Sequence, residues 1–208
     1  MAHRPRIPPG RAGRTWLRRR LETAVRGREQ LDRKLRILLP EQQRLRIQVD
    51  RRRQDWVAAN ATAQTWLLRA TLLGGQDAIR HATPARPIPV EIVWTTVMGV
   101  RYPTEVRVGV VDVNDENPPG NSAIKPATAS YRAALIAGVW AAASEEALRL
   151  IDAEIATTRR RLRALDKQLL PWLRDALTAV EQVLEQAEQE DGMRLRRATA
   201  QSGAREST

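Results

Sequence analysis

The sequence predicts a mainly α-helical protein, built on a long antiparallel two-helix coiled coil with a small central β-hairpin. Three observations support this fold class. Apolar residues recur in heptads over two long stretches, one in each half of the chain. A segment rich in Val, Ile and Thr lies between the two stretches. The 208 residues include no Phe, two Tyr and six Trp, so Ala, Leu and Val supply most of the apolar surface, as expected for helix seams.

The first apolar stripe begins at Leu17 and continues for eight heptads. When alternate steps of four and three residues are counted, 14 of the 17 positions up to Leu73 are apolar. This regularity predicts a coiled-coil helix over residues 14–75. The helix is expected to end at Gly74-Gly75, because glycine is the usual residue at helix C-termini.

A second stripe predicts the C-terminal helix. Ten of eleven positions are apolar in the series 148, 151, 155, 158, 162, 165, 169, 172, 176, 179 and 183. Two helices with one narrow stripe each, joined by about 50 residues, most simply pair antiparallel. A parallel homodimer is the alternative, in which each stripe would pair with its own copy.

Prolines and tryptophans add detail to the two predicted helices. Pro40 and Pro171 lie off the stripes, and we expect a kink at each because proline lacks the backbone N–H and clashes with the preceding turn. Trp56, Trp66 and Trp172 lie on the stripes and are expected to be core residues.

The middle of the chain predicts strands. Val106, Val108 and Val110 alternate with other residues, which is the period of a half-buried strand. We expect a β-hairpin of about 90–98 and 105–111, joined by the turn-like linker GVRYP (99–103), and a surface loop at NDENPPGNS (114–122). An isolated hairpin is marginal in water, so either the helices or a partner must cover it.

These patterns divide the chain into five predicted segments. They are a flexible basic tail (1–13), an N-terminal coiled-coil helix (14–75), a central region with the hairpin at about 90–111 (76–126), a C-terminal coiled-coil helix (127–197) and a flexible tail (198–208).

Charge is concentrated in the first quarter of the chain. The net charge is +11, and residues 1–56 carry 17 basic and 6 acidic side chains, whereas residues 57–208 carry 18 of each. Such a block indicates an acidic partner or a solvated surface. Runs of three arginines raise the alternative of nucleic-acid binding. On a helix, however, three successive side chains cannot face one ligand, so solvated or protein-facing arginines are favoured.

The sequence contains no recognisable catalytic chemistry. The chain has no Cys and two His, no P-loop and no G-x-S-x-G or H-E-x-x-H motif. We therefore predict no catalytic, cofactor-binding or metal-binding residues, and a mechanical, architectural or binding role. No stretch of about 20 apolar residues is present, so no direct membrane insertion is expected. The first residues lack the apolar region of a secretory signal.

Three segments, in order, resemble the D subunit of the V/A-type rotary ATPases, the central rotor shaft. The first is GRTWLRRRLETAVRGREQLDRKLRIL (13–38), and the second is VMGVRYP (97–103), which is similar to the family's M-G-V-x-x-P pattern. The third is RRRLRALDKQLLPWLRDALTAVEQVLEQAEQEDGMRLRR (159–197), similar to R-x-N-A-L-x-x-x-x-x-P-x-L followed by an acidic run and a basic end. Arg163 replaces the Asn of that pattern, and Pro40 and the unusual number of Arg residues depart from the family's common pattern.

The resemblance implies a central-stalk subunit of a proton- or sodium-translocating ATPase or ATP synthase, itself not an enzyme. The implied partners are the A and B subunits of the catalytic hexamer, the small F subunit of the central stalk and the subunit that connects the shaft to the membrane rotor. The implied location is the cytoplasmic face of a membrane-associated complex. The residues expected to contact partners are Trp16, Arg18, Arg19, Met98, Gly99, Val100, Arg101 and Pro103.

Two other function classes stay open from the sequence. One is an arginine-rich coiled coil that organises nucleic acid, which would require salt-sensitive binding. The other is a stalk protein of an export ATPase, which would share the helical hairpin but not necessarily the strands with M-G-V-x-x-P.

Overall fold

The computed structural model describes residues 7–83, 87–109 and 121–206, with side chains through residue 197. The elements in chain order are helix α1 (Gly10–Ala82), strands β1 (Val90–Val97) and β2 (Val100–Val108), helix α2 (Ile124–Ala164), a π-helical turn (Leu165–Leu169) and helix α3 (Leu170–Glu206). The predicted fold class is confirmed, because long helices in both halves of the chain flank one antiparallel two-stranded sheet.

The chain forms two compact units, and helices pair antiparallel within each. The terminal unit combines residues 1–33 with 158–208, and the central unit is 34–157. In the terminal unit, three ion pairs join the two helices, and the residue number of the acidic partner falls as that of the arginine rises. They are Arg11 with Glu188 at 3.0 Å, Arg18 with Glu181 at 2.6 Å and Arg28 with Asp166 at 2.9 Å. In the central unit the corresponding contacts are Lys34 with Glu154 at 2.6 Å, the amide of Gln42 with Asp152, and Asn121 with the carbonyl of Ala70 at 3.0 Å.

The apolar stripe predicted for α1 is confirmed by burial. The buried apolar side chains of α1 are Leu17, Ala24, Leu38, Leu45, Ala63 and Ala70, and each of them lies on the predicted stripe. The prediction is wrong for two larger stripe residues, since Trp56 is 41% exposed and Leu73 is 64% exposed. The facing segment of α2 is rich in small residues, and their side chains are too short to enclose the Trp56 indole, which lies against Gly138.

The second stripe is confirmed up to Thr158. Beyond the π-helical turn, the predicted Leu169, Trp172 and Ala176 still pack against the seam but are only partly buried, and its centre lies one residue later. Ile151, Ile155 and Thr158 are buried as predicted, but the next buried residues are Leu170 and Leu173. The predicted positions are 169 and 172, one residue earlier. A π-helical turn accommodates one residue more than an α-helical turn, so every later seam position moves by one.

The π-helical turn also explains how α3 tolerates Pro171. In a regular α-helix the proline ring would meet the carbonyl four residues earlier. Here the N–H of Leu170 bonds to the carbonyl of Leu165, five residues back, which widens the turn directly before the proline. At Pro40 no such irregularity occurs, because the backbone dihedral angles of α1 depart from helical values only at Gly75.

The helices are longer than predicted at their ends. Gly75, with φ 66° and ψ −174°, interrupts α1 at the predicted stop, but helical residues resume and continue to Ala82. The left-handed φ of this residue suits glycine, which has no Cβ to clash. At the other end of the chain α3 continues through most of the predicted tail to Glu206, and the Ala, Gln, Arg and Glu of this segment are good helix formers.

The hairpin is confirmed, but its turn is tighter than predicted. β1 and β2 are joined by Met98 and Gly99 alone, so the predicted linker 99–103 lies largely in β2. Pro103 is compatible with this strand because it lies opposite Trp94, where the register shifts and the ladder is irregular. Residues 110–111 of the second predicted strand and 114–120 of the predicted loop fall outside the described residues.

Candidate partner-binding surfaces

The hairpin turn presents Met98 and Gly99 at the end of the sheet. Both residues have positive φ, 50° and 79°, which is the requirement of a type I′ hairpin turn. Glycine adopts this conformation freely, whereas a non-glycine residue seldom does. The Met98 side chain is exposed.

One side of the hairpin belongs to the core of the central unit. Val100 and Tyr102 are buried in a cluster with side chains from both long helices: Leu38, Leu45, Ala147, Ile151 and Ile155. The helices therefore provide the cover that the sequence required for the hairpin. Val100, expected to contact a partner, is instead a core residue, because the two-residue turn directs it toward α1 and α2.

A polar contact fastens the same side of the hairpin to α1. The Tyr102 hydroxyl donates a hydrogen bond to Oε1 of Glu41 at 2.6 Å, and Arg44 donates to both oxygens of that carboxylate, at 2.6 and 2.9 Å. The Arg44 hydrogen bonds, with help from Tyr102, lower the pKa of Glu41 below its usual range. Burial and the adjacent carboxylate raise the pKa of Tyr102 to about 12.

On the other side of the hairpin, the β1 side chains are apolar and exposed, whereas Pro103 and Val106 opposite them on β2 are buried. Val90, Ile92 and Trp94 alternate along β1, and Ile92 is 43% and Trp94 41% exposed. The Arg101 guanidinium lies over the Trp94 ring, 5.2 Å from its centroid, and Pro103 beside them is buried. Arg101 is exposed, so a cation and an aromatic ring are presented together on this face.

The three partner-contact residues predicted in α1 lie in the terminal unit. Trp16 is partly buried against the cluster of Leu17, Leu170 and Leu173. The Arg18 guanidinium pairs with Glu181 at 2.6 Å, whereas the Arg19 side chain is exposed. These residues and the hairpin residues 98–103 therefore belong to different compact units.

The sequence reasoning missed the exposed apolar side of β1 and the link between Tyr102 and Glu41. In VEIVWTTV, alternate residues differ in character, and this period of two was a usable signal that the two faces of the strand have different surroundings. The link could not be read from the sequence, because its residues are 61 positions apart.

The described part of the chain holds neither a candidate metal centre nor a membrane-spanning helix. Within residues 7–83, 87–109 and 121–206, no three carboxylate or imidazole side chains are grouped so as to hold a metal ion. In the same ranges, no helix has the length and apolar character that crossing a membrane requires.

Comparison with known proteins identifies the family. A family model for the D subunit of ATP synthase matches residues 15–200. The chain is 30% identical to the D subunit of the V-type ATP synthase of Anaeromyxobacter sp. (strain Fw109-5), over 98% of this chain and 97% of the relative. It is 30% identical to the D subunit of the A-type ATP synthase of Haloarcula marismortui, over 93% and 87%. It is 24% identical to the D subunit of the V-type ATP synthase of Thermotoga neapolitana, over 92% and 96%.

These matches extend along nearly the whole chain, and they include the strands as well as the helices. They give no support to the nucleic-acid or export-ATPase alternatives. Paired terminal helices and an intervening hairpin, together with this similarity, show that the chain belongs to the ATP synthase D-subunit family, the central-stalk subunits of V/A-type ATPases.

Proposed function

We propose that this chain is the rotor shaft that couples ATP synthesis or hydrolysis in a hexamer of A and B subunits to proton or sodium transport, and that it is not itself a catalyst. The observation that carries the proposal is the antiparallel pairing of the two terminal helices in a member of the D-subunit family. Apolar seams hold the helices side by side, which is what a shaft that transmits torque requires.

The proposed mechanism depends on unlike faces of the shaft. Three equivalent catalytic sites can be driven into different states only by a partner that presents a different surface to each. The central unit has such unlike faces, because the hairpin packs against one side of the paired helices. Around the terminal unit, the proposed neighbours are the A and B subunits, and Trp16, Arg18 and Arg19 are the proposed contacts. The charged surface there is consistent with electrostatic steering by acidic loops.

Removal of residues 1–20 tests the coupling role. This truncation removes Leu17 and leaves Leu170 and Leu173 without their seam partner. In reconstituted complexes, we expect ATP hydrolysis to continue while ion pumping per ATP falls about tenfold or more. The measurement is ATP turnover and ion uptake in the same vesicles.

The matched control replaces an exposed carboxylate, Glu145→Gln, and should leave both activities unchanged. A single-carboxylate variant of this kind that assembles normally but loses all ATP hydrolysis would show that the chain is an enzyme and refute the proposal.

We further propose that the exposed side of the hairpin binds the small F subunit of the central stalk, with Met98, Gly99 and Arg101 at its edge. Pro103, which the sequence also suggested as a contact, is buried and is not among them. The membrane-rotor connecting subunit is the proposed neighbour at the same end of the complex, which lies on the cytoplasmic face of the membrane. An exposed Trp with an Arg over its ring supports this, because aromatic and Arg side chains dominate the binding energy of protein interfaces.

The double variant Ile92→Thr/Trp94→Thr tests this surface. We expect affinity for the F subunit to fall about 30-fold or more, since loss of a central aromatic costs about 2 kcal/mol. Helix content measured by circular dichroism should not change, because both side chains point away from the core. Thr96→Ser, also exposed on β1, is the control and should bind normally. Unchanged affinity of the double variant in calorimetry would refute docking at this face.

A further inference from the structure

One end of the central unit is poor in charge and rich in exposed apolar side chains. Charged residues make up 28% of the chain, but residues 57–83 and 121–143 together carry five: Arg69, Asp77, Arg80, Lys125 and Arg132. Leu68 and Leu72 of α1 are 62% and 77% exposed, and Leu135 and Ile136 of α2 are also exposed. Exposed apolar side chains grouped at one end of a unit that has few charges are typical of an interaction site.

A groove of about 500 Å³ lies in this end of the unit. Leu67 on one side and Ile124, Tyr131 and Leu135 on the other form its walls, and Ile79 contributes from the helical segment that follows the interruption at Gly75. The volume is in the range of sites that enclose a ligand or several side chains. Leu68 and Ile136, each next in sequence to a lining residue of the groove, are also exposed, so exposed apolar side chains are not confined to the groove itself.

Arg132 gives the groove its chemical specificity. It is the charged member among the described lining residues, and its Nη2 atom is buried with no hydrogen-bond partner among the described residues. A buried donor without an acceptor is costly, and the cost is greater for a charged group. An occupant with a carboxylate would remove that cost and neutralise the charge, and carboxylate is the anionic group that the side chains of a protein partner offer to a guanidinium.

We propose that this groove binds a helix of another subunit of the assembled ATPase, with apolar side chains in the groove and a carboxylate on Arg132. This inference rests on the proposed function, because it requires the chain to be assembled in that complex. Exposed apolar side chains both in and beside a groove favour an amphipathic helix as the occupant, and the buried Nη2 atom of Arg132, which has no hydrogen-bond partner among the described residues, favours an acidic one.

The first test compares Arg132→Met with Arg132→Lys in the full chain. Met keeps the bulk of the side chain without its charge, whereas Lys keeps the charge. In the free chain, Arg132→Met should raise Tm by about 3 °C, because it removes a buried unpaired donor. In the complex, the same variant should weaken association about tenfold or more, because the partner carboxylate then loses its counterion. Arg132→Lys should bind more tightly than Arg132→Met.

Opposite effects on stability and binding are the signature of the proposed contact. An occupant without a carboxylate would bind the more apolar Met variant as well as or better than the native chain. Equal or tighter association of Arg132→Met would therefore overturn the proposal.

The second test identifies the occupant by photo-cross-linking in the complex assembled from its purified subunits. Benzoylphenylalanine at Leu135 should form an adduct with another subunit, and the yield should fall in the Arg132→Met background and recover with Arg132→Lys. The same group at Ala153, exposed elsewhere on α2, should give a yield that does not depend on residue 132. Replacing the cross-linked acidic residue of the partner by Arg should restore binding to Arg132→Glu.

Adducts from Leu135 only within the chain itself or only with lipid would overturn the groove as a docking site while leaving the shaft proposal intact. A chain that fails to enter the complex at all would instead overturn the proposed function. The two failures are distinguished by whether the labelled chain co-purifies with the other subunits.

Discussion

Deletion of Gln168 together with Pro171→Ala is expected to leave the terminal unit almost as stable as the native chain. Gln168 is an exposed residue of the π-helical turn, and this turn holds one residue more than an α-helical turn. Its removal converts the turn to α-helix while Leu170 and Leu173 keep their places in the seam. Pro171→Ala is included because in an α-helical turn the proline would cost about 3 kcal/mol.

Deletion of Asp175 is the matched control and is expected to be severe. Asp175 is also exposed, but it lies in regular α-helix, so its loss rotates every later residue by about 100°. Leu177 and Val180, which pack against the Leu17 cluster, then leave the seam. We expect the terminal unit to lose about 2 kcal/mol or more, since a fully buried apolar side chain contributes about 1.5–3 kcal/mol and these two partly buried side chains each contribute a part of that.

Urea unfolding followed by circular dichroism, with hydrogen exchange of residues 15–30 as the local measure, distinguishes the two deletions. If both deletions destabilise the terminal unit equally, the π-helical turn is not what sets the register of α3, and the account of the shifted seam is wrong.

Tyr102→Ala is expected to destabilise the central unit by about 3–5 kcal/mol, in the range of large aromatic-to-Ala changes in cores. Tyr102 is 2% exposed and packs with Leu38 and Ile151, so its removal leaves a cavity between hairpin and helices. Trp94→Ala, on the exposed side of the same hairpin, should cost less than about 1 kcal/mol. The pair shows whether the hairpin is part of the core or only an appendage.

Tyr102→Phe isolates the hydroxyl and should cost about 1.5 kcal/mol, the range of a hydrogen bond to a charged group. The pH dependence has two limbs. The lowered pKa of Glu41 stabilises the native chain above its ordinary value of 4.5, and this contribution is lost as the pH falls below it. The raised pKa of Tyr102 stabilises the native chain below pH 10.0, and this contribution is lost between pH 10.0 and about 12.

The Tyr102→Phe variant should therefore not lose unfolding free energy above pH 10.0, and it should lose less of it below pH 4.5 than the native chain does. Urea titrations at each pH measure this. If Tyr102→Phe loses as much unfolding free energy above pH 10.0 as the native chain does, another group is responsible for that loss. Equal costs for Tyr102→Ala and Trp94→Ala would contradict the packing of Tyr102 in the core.

The burial of Tyr102 also changes what replacement of the whole hairpin would do. If the hairpin were only a separate docking element, a Gly-Ser linker in place of 90–111 would leave helicity nearly intact. Since Val100 and Tyr102 belong to the helix core, such a replacement would expose Leu38, Leu45 and Ile155 and destabilise the central unit. Substitutions on the exposed side of the hairpin are therefore the informative ones.

The sequence by itself favoured antiparallel pairing of the helices over a parallel homodimer, and it determined the two long helices, the seam of α1 and the presence of the hairpin. Each of these follows from the period of apolar residues or from β-branched alternation, which are local properties of the chain. The resemblance of three ordered segments also pointed to the family that the comparisons then showed. Leu17, Leu38 and Ala70 lie where the count of heptads places them.

Only the tertiary structure decided the register of α3, the side of the hairpin that is buried and the groove beside Arg132. A π-helical turn adds one residue without any compositional sign, so an unbroken count places the seam at 169 and 172 when Leu170 and Leu173 occupy it. Both faces of the hairpin are apolar, and which one is buried depends on where α1 and α2 pass. The groove forms from residues far apart in sequence, such as Leu67 and Leu135, and no local pattern can report such a contact.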